Sequence, residues 1–446
     1  MKSFPKLLIL ILFLSFLLRI VVALYSYNFR PNPDVIRYKD WVVISQKYGF
    51  SDTYKIDHLT FGTLPNNQPP GTLYILYPMY ELGQFLNNHT GIGKIPHLNI
   101  LASDFLLRLP SVLTDLGIGA LIYLMVKETK HEKFAIFGAC LFLFNPVVIY
   151  NSAFWGQMDS VNNFFLISAL ALLLNKRFFL SIIFFAFAIF IKLSLLPLTP
   201  LFLILVFLKE KNKKMFFLYL LLVLVTFGVL VLPISANPIS WTISFFKNSS
   251  SGEMQNITAF AFNFWWVIFK PMVAFGDHSS AFQFSLIELK NSPLSQAIRL
   301  GINLNLWGYI LYSIFLVPIL YIMLKFKNKI NPGNIVILFV VLSLAAFLFL
   351  PRMHERYMYP VFPLLAAYIG IKGRLLVPYV LLSIFNFINL FVVWHPFIPA
   401  PPILNLITNN NLFWFISLAT LIVSAYIFLY CLNLFKPIKL IRRFKL

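Results

Sequence analysis

Charged residues are few in this chain: they make up 11% of its 446 residues, whereas about a quarter of the residues in a soluble domain are charged. Hydrophobic residues make up 59%. This balance excludes an ordinary soluble globular protein and predicts an all-α integral membrane protein. The net charge of +21 does not point to nucleic acid, because the basic residues form short clusters between apolar runs of spanning length.

Cysteine is rare as well. The two cysteines, Cys140 and Cys431, both lie in apolar runs, so the sequence has neither a disulfide framework nor the ligand spacing of a metal site. We expect no metal and no cofactor. The apolar run from Leu7 to Leu24 lacks a small-x-small cleavage site and is longer than a usual signal sequence, so we expect it to remain as the first span.

Twelve apolar runs are long enough, or nearly so, to cross about 30 Å of hydrocarbon. We therefore predict about twelve transmembrane helices in a single polytopic membrane domain over residues 1–446. The runs are roughly 7–24, 101–126, 134–150, 160–174, 178–191, 193–208, 215–234, 302–324, 335–350, 357–371, 375–394 and 412–435.

The distribution of charge predicts the orientation in the cytoplasmic membrane. Most basic residues fall in short connections on one side of the twelve spans, and most acidic residues fall on the other. By the positive-inside rule both termini are then cytoplasmic. Two long polar segments, 25–100 and 234–301, face the outside, so we expect any chemistry on the extracytoplasmic face.

The first outer segment, 25–100, carries the first candidate residues. Asp34, Tyr38 and Trp41 share one face of a predicted helix, and an acid beside aromatics at a membrane surface could take a proton from a sugar hydroxyl. The alternative is a solvated loop charge or a helix N-cap. Asn67 and Gln68 precede a Pro-Pro turn into a second interfacial helix, where they either bind a polar ligand or only form the turn.

Further candidates follow along the chain. Arg108 and Asp115 lie inside the second span, where ionisable groups are costly and are either functional or structurally paired. Trp155, Gln157 and Asp159 lie at an outer turn and suit sugar hydroxyls, unless they are only an aromatic belt residue and a helix cap.

The densest outer cluster of charge is Pro351 to Pro360, with Arg352, His354 and Arg356. Guanidinium groups present a fork that matches phosphate oxygens, so this cluster could bind a lipid-linked phosphate. Lys192, at the end of the fifth span, could add charge. The alternative is headgroup anchoring, or an internal pair between Glu355 and an arginine.

Together these motifs resemble the GT-C superfamily of membrane glycosyltransferases, in particular the bacterial and archaeal relatives of the PIG-V-type mannosyltransferases of GPI-anchor assembly. A more distant likeness is to the dolichyl-phosphate-glucose-dependent glucosyltransferases of N-glycan assembly. The motifs that carry the resemblance are Asp34 with Tyr38 and Trp41, the Pro69-Pro70 turn, Arg108 to Leu116, Trp155 to Ser160 and His354 to Pro360.

The resemblance implies a GT-C fold whose first outer loop carries two interfacial helices and a catalytic acid. The donor would be a polyprenyl-phosphate-linked hexose, first of all mannose, transferred with inversion to a hydroxyl of a glycan, glycolipid or protein acceptor. A lipid-carried donor also explains why no nucleotide-binding loop appears. With a lipid phosphate as leaving group, nearby cations stabilise the developing charge without a metal.

Carried over by motif, Asp34 would be the general base, His354 and Arg356 would contact the donor phosphate, and Asp159 with Gln157 would line the sugar site. Relatives often have Asp-Tyr before the Pro-Pro turn, where this chain has Asn67-Gln68, so Asp159 becomes the candidate for any second acidic role. The alternative functions are a transporter or flippase of lipid-linked glycans, and a structural membrane assembly factor.

Overall fold

The computed structural model describes residues 5–27, 33–55, 65–89, 94–95, 100–251, 256–273, 283–285, 304–327, 330–395 and 409–435, with single residues 402 and 405. Parts of the predicted outer segments 25–100 and 234–301 lie outside the described residues, as does the basic run at the C-terminus. All statements below concern the described residues.

The structure is built from helices. In chain order the α-helices are α1 Lys6–Ser26, α2 Pro33–Tyr48, α3 Pro70–His89, α4 Ala102–Leu106, α5 Leu109–Lys127, α6 Glu132–Leu143, α7 Pro146–Ile149, α8 Asp159–Leu174, α9 Phe178–Ile191, α10 Thr199–Lys209, α11 Lys213–Val231, α12 Pro238–Ser251, α13 Phe264–Val273, α14 Leu304–Lys325, α15 Pro332–Phe349, α16 Val361–Lys372, α17 Leu376–Val393 and α18 Asn410–Leu434. A π-helical turn covers Tyr150–Trp155, and 3₁₀ turns cover Phe50–Tyr54, Leu193–Leu198 and Glu355–Met358.

The predicted multi-span helical membrane fold is confirmed, but the count of twelve spans is not. Within the described residues seven helices are long and apolar enough to cross a membrane, or eight if α6 and the segment Pro146–Trp155, bent by 46°, form one span. Three more apolar helices, Asp159–Leu174, Phe178–Ile191 and Leu193–Lys209, are shorter. The predicted run 357–371 forms only the 12-residue helix α16.

Burial separates central helices from peripheral ones. Every residue of α15 from Ile335 to Phe349 is buried, and so is α16 from Val361 to Ile371. By contrast, α1, α11 and α14 leave many large apolar side chains exposed, as helices facing lipid do. The central helices thus form the scaffold around which the peripheral spans pack.

One fully buried ion pair links the first span to α5. The Arg19 Nε lies 2.9 Å from Asp115 Oδ2, and both side chains have no exposed surface. The hydroxyls of Ser152 and Ser160 donate to the same carboxylate at 2.5 and 2.6 Å, and Tyr359 donates to it as well. Asp115 is therefore paired and hydrogen-bonded within the helix bundle, as a buried charge must be.

A small sheet holds the loop that follows α15. Strand β3 (Asn256–Ala259) lies between β4 (Gln283–Ser285), which is antiparallel to it, and β5 (Met353–His354), which is parallel. A separate two-stranded sheet pairs β1 (Lys94–Ile95) with β2 (Ile100–Leu101). The register of β3 and β5 puts Ala259 opposite His354, so the second outer segment fixes the backbone of the predicted cationic cluster.

Candidate active site

Helix α2 presents the candidate acid at its first turn. The helix begins at Pro33, whose fixed φ suits a first helical residue, and Asp34 follows at the positive end of the helix dipole. Tyr38 and Trp41 are 1% and 2% exposed, and their rings lie 5.6 Å apart. The side chain of Asp34 keeps 22% exposure, so the helix buries its aromatic face and leaves the carboxylate at the mouth of the site.

A sharp loop brings Gln157 and Asp159 to Asp34. The π-helical turn ends at Gly156, which has a φ of +84°. A Cβ at this position would lie 2.9 Å from Cγ2 of Val35 in α2, so glycine permits the close approach of the loop to that helix. Gln157 Nε2 then donates to Asp34, and the Tyr38 hydroxyl donates to Gln157 Oε1 at 3.2 Å.

Lys192 reaches the same point from the end of α9. The helix stops at Ile191 and the backbone of Lys192 is extended, with φ −154° and ψ 131°. Its Nζ lies 2.7 Å from Oδ1 of Asp159, the first residue of α8, and the two side chains are only 5% and 1% exposed. The Nζ also lies 5.4 Å from the ring of Tyr357. A buried lysine and a buried aspartate thus form one wall of the site.

Arg356 lies at the centre of the cluster. Its guanidinium is 2.8 Å from Glu355, 3.9 Å from Oδ2 of Asp34 and 3.8 Å from Oδ2 of Asp159. It also lies 5.9 Å from the ring of Trp155. One arginine therefore contacts side chains from α2, α8 and the 3₁₀ turn, which lie far apart in the sequence.

Glu355 forms an ion pair with Arg356 at 2.8 Å. Its carboxylate has no exposed surface, and Oε2 lies 3.8 Å from Nδ1 of His354. Burial alone would raise the pKa of Glu355, but the charge of Arg356 and the contact with His354 lower it to about 2. Burial lowers the pKa of His354, and Arg356 lowers it further, so His354 is neutral at pH 7. Burial opposes the charge of Arg356, yet Glu355, Asp34 and Asp159 raise its pKa.

Several buried polar atoms around Arg356 have no hydrogen-bond partner among the described residues. They are Asp159 Oδ2, Glu355 Oε2, Arg356 Nε, Trp155 Nε1 and Asn386 Oδ1. Such atoms are uncommon in protein interiors and cost free energy when they stay unpaired. Acceptors and donors grouped in this way fit a ligand that has both hydroxyl groups and anionic oxygens.

An apolar groove lies next to the cluster. Its volume is about 810 Å³, and it is lined mostly by residues of α9, α11 and α12. The lining also includes Pro69 and Leu193, which follow Gln68 and Lys192 directly in the chain. The groove therefore borders the polar cluster.

The fold has known counterparts among solved structures. The chain superposes on ArnT from Cupriavidus metallidurans bound to undecaprenyl phosphate with a TM-score of 0.51 and 14% identity, covering 97% of this chain and 76% of that one. The chain shares the fold of this ArnT structure. An identity of 14% shows the fold alone and assigns no substrate.

Two further comparisons are weaker. The oligosaccharyltransferase of Archaeoglobus fulgidus in the apo form superposes with a TM-score of 0.43 and 11% identity, covering 94% of this chain and 56% of that one, which is too low to support an argument. The sequence model of GPI transamidase subunit PIG-U matches residues 60–254, less than half of the chain. No curated protein sequence matches it. None of these comparisons singles out the PIG-V-type mannosyltransferases.

Within this fold, the predicted site residues divide into two groups. The structure brings together one group, which is Asp34, Tyr38, Gln157, Asp159, Lys192, His354, Arg356, Trp155 and, more loosely, Gln68. The others lie around it. Trp41 packs in an apolar cluster with Leu73 and Leu76, and Asn67 is exposed.

Arg108 and Arg352 belong to this outer group. The Arg108 guanidinium donates to the carbonyls of Ala153 and Phe154 at 3.3 and 3.1 Å, and it therefore supports the loop before Gly156 from behind. Arg352 has a left-handed backbone, with φ 63°, and donates its N–H to the carbonyl of Ile257 at 2.9 Å. Both arginines hold backbone in place next to the site.

Sequence reasoning missed the part that Thr72 and Asn386 play. Thr72 donates to the carbonyl of Ile191 at 2.7 Å, and Asn386 donates to the carbonyl of Glu355 at 2.8 Å. Glu355 makes the contact that the sequence offers as an alternative, an internal pair with an arginine. Thr72 and Asn386 carry no local signal, because each acts on a residue that is distant in the chain.

Proposed function

We propose that the chain is a glycosyltransferase that uses a polyprenyl-phosphate-linked hexose, with mannose the first to test, and transfers it with inversion to a hydroxyl of a glycan, glycolipid or protein. The observation that carries this proposal is the partly exposed carboxylate of Asp34 next to the largely buried cations Arg356 and Lys192. Such a transfer needs a general base and a set of phosphate-binding side chains in the same site.

The donor phosphate fits the cationic side of the cluster. Arg356 offers a planar fork, Lys192 offers a point charge, and neutral His354 can donate one N–H. Lys192 is paired with Asp159 and Arg356 with Glu355, so phosphate competes with carboxylates that are already in place. As the glycosidic bond to the phosphate breaks, these donors stabilise the charge that develops on the leaving oxygen.

The lipid tail of the donor fits the apolar groove. The groove is lined by apolar side chains of α9, α11 and α12, and its lining includes Leu193, the residue after Lys192. ArnT, which shares the fold, was solved with undecaprenyl phosphate. A polyprenyl chain in the groove would put its phosphate next to Lys192 and Arg356.

Asp34 would then act on the acceptor. The acceptor oxygen forms a bond to the anomeric carbon while the bond to the phosphate oxygen breaks on the opposite face, which inverts the centre. The acceptor proton passes to Asp34, and the electron pair of the broken bond stays on the leaving phosphate. We place this site on the extracytoplasmic face with both termini in the cytoplasm, on the basis of the positive-inside pattern.

Sugar transfer in proteoliposomes tests the proposal. A panel of polyprenyl-phosphate sugars is offered to the wild type, to Asp34→Asn and to Asp52→Asn, which removes a surface carboxylate of the same outer segment that is 3.5 Å from Lys55. We expect the wild type and Asp52→Asn to release polyprenyl phosphate, and Asp34→Asn to lose about 10²–10⁴ in kcat while still binding donor. Full turnover by Asp34→Asn would remove it as the base, and no turnover of any donor by the wild type would overturn the function.

A second candidate is a non-catalytic subunit of a membrane assembly. It is favoured by the match of residues 60–254 to GPI transamidase subunit PIG-U. Asp34 and the segment from His354 to Arg356 lie outside the matched range, so that match does not account for half of the polar cluster. A transporter would use polar groups within the membrane, and the two such candidates in the second span, Arg108 and Asp115, both have internal partners. Movement of labelled lipid without sugar transfer would favour the transporter.

A further inference from the structure

A chain of hydrogen bonds runs through the site and ends on Asp34. Gln157 Nε2 donates to the carboxylate of Asp34, and the hydroxyl of Tyr38 donates to Gln157 Oε1 at 3.2 Å. Gln68 Nε2 donates to the Tyr38 oxygen over 3.5 Å, the longest link. Gln157 is fully buried and Tyr38 is 1% exposed, so water does not compete for their bonds.

Chemistry alone fixes the direction of every link. An ionised carboxylate only accepts, so the Gln157 amide must turn its NH₂ group to Asp34. Its carbonyl then faces Tyr38, which must donate its one proton, and the phenol oxygen is left to accept from Gln68. Each donor therefore points toward Asp34, and bonds in such a chain strengthen one another.

The backbone around Gln157 leaves its side chain little freedom. Its N–H donates to the carbonyl of Asn151 at 3.0 Å, and its carbonyl accepts from Ser111 at 2.7 Å. At the other end, the Thr72 hydroxyl lies 3.0 Å from Gln68 Oε1 and 2.7 Å from the carbonyl of Ile191, and can donate to either. Ile191 precedes Lys192, so the chain connects the cationic wall of the site to the carboxylate.

We propose that Gln157 and Tyr38 are positioning residues that hold the carboxylate of Asp34 aimed at the acceptor, and are not ligands of the sugar. This inference rests on the proposed function, which makes Asp34 the base. Loss of the amide donor leaves the carboxylate free to turn away from the acceptor, so the chemical step slows while donor binding is kept.

The other charges that face Asp34 stay unchanged when Gln157 or Tyr38 is replaced. They are Arg37 on α2, Arg356 and Tyr357 on the 3₁₀ turn, Lys192 at the end of α9 and Asp159 on α8, which shares Arg356 with it. A loss of kcat in these variants therefore reports the loss of the hydrogen bond and not a change in these charges.

The test is kcat and KM for sugar transfer by the full chain in proteoliposomes, with kcat expressed per folded molecule. The variants are Gln157→Met, Gln157→Glu and Tyr38→Phe. The control is Tyr379→Phe, which removes another buried phenol hydroxyl, bonded to the carbonyl of Leu141. We expect kcat to fall about tenfold in Gln157→Met, at least as far in Gln157→Glu, whose carboxylate cannot donate to Asp34, and less in Tyr38→Phe. We expect KM for the donor to change less than about twofold, and Tyr379→Phe to match the wild type.

Each other outcome has a distinct meaning. A raised KM with an unchanged kcat would make Gln157 and Tyr38 ligands of the sugar and would overturn the inference. If only the amount of folded protein falls, while kcat per folded molecule and KM stay unchanged, the two residues have a structural role and the inference is overturned as well. If the Gln157 variants do not fold, Tyr38→Phe, which lacks one oxygen atom, decides alone. If the wild type transfers no sugar, the proposed function fails instead.

Discussion

Glu355 shows how a single buried carboxylate can organise a cationic site. It has no exposed surface, its Oε1 holds Arg356 at 2.8 Å, and its pKa is lowered from 4.5 to about 2 by that guanidinium and by His354. A lowered pKa in the folded state adds stability above pH 4.5 that is lost as the pH falls toward 2.

The first prediction is that Glu355→Gln lowers the melting temperature of the detergent-solubilised protein at pH 7, by an amount equivalent to about 3 kcal/mol, because Arg356 is left buried with less compensation. The difference from the wild type should shrink between pH 4.5 and the acid limit of the measurement. Glu132→Gln is the control, since it breaks only the exposed pair with Lys127 and should not change the melting temperature. A difference in melting temperature between Glu355→Gln and the wild type that stays constant down to pH 3 would contradict the lowered pKa of Glu355.

His354 gives a second prediction, about product binding. Burial and Arg356 lower its pKa in the empty site below 6.5, and a bound phosphate would raise it again. Binding then takes up a proton, so affinity for polyprenyl phosphate should strengthen as the pH falls, by up to about tenfold per unit. The charged groups that face His354 are Glu355, Arg356 and Lys192.

Lipid-phosphate binding at pH values on both sides of 6.5 measures the effect. The variant His354→Gln should keep only the pH dependence that comes from the titration of the phosphate itself. Identical pH dependence in both proteins would mean that His354 stays neutral in the complex.

At the level of elements, the site forms where spans are interrupted. Three breaks deliver its residues: the π-helical turn before Gly156, the extended residue Lys192 after α9, and the loop with β5 between α15 and α16. Irregular backbone at such depth is tolerated where it is buried in protein or lines a cavity. The same breaks make the predicted spans short, which is why the count of twelve is not reproduced.

Gly156 gives a third prediction. Gly156→Ala adds a Cβ 2.9 Å from Val35 at a φ of +84°, and Gly373→Ala adds one at a φ of +66° with nothing within 4 Å. Both carry the left-handed backbone cost of about 1–2 kcal/mol. Only Gly156→Ala should displace Gln157 and Asp159, so it alone should lose about tenfold or more in kcat. Melting temperatures and transfer rates of the two variants, measured together, separate the two effects. Equal activity in both would show that the loop tolerates the displacement.

Much of the site could be predicted from motifs, but its connections could not. The periodicity of Asp34, Tyr38 and Trp41 predicted helix α2, and the Pro-Pro turn predicted the start of α3. The contact between Gln157 and Asp34 joins residues 123 positions apart, and no local pattern indicates it. Strand β5 has two residues and pairs with β3 across the fold, so its short sequence has no strand periodicity to detect.

For the whole molecule, composition and the alternation of basic and acidic connections predicted the membrane class, and the fold confirms it. The groove had no sequence signal, because it is lined by the same apolar residues that face lipid elsewhere on α11. Periodicity shows which face of a helix is apolar. It does not show whether that face packs against another helix or leaves a space.

The groove gives a fourth prediction. Gly228 lies on its wall in α11, and a Cβ at this position would have no atom within 4 Å, so we expect the side chain of Gly228→Phe to occupy space in the groove. It should raise KM about tenfold for long-chain polyprenyl donors and leave short-chain donors unaffected. Leu221→Phe, at an exposed position of the same helix outside the groove, is the control. Equal effects on long and short donors would place the lipid elsewhere.

The ion pair between Arg19 and Asp115 also bears on how the chain enters the membrane during synthesis. Arg19 is made 96 residues before its partner, and the carbonyl of Leu143, which it also binds at 2.9 Å, comes later still. An arginine within an apolar helix costs about 2.5–3.5 kcal/mol at the bilayer centre until it is paired. The helix α1 therefore gains its full stability in lipid only after α5 has emerged from the ribosome. It is translated before α5 but is stably inserted only together with it.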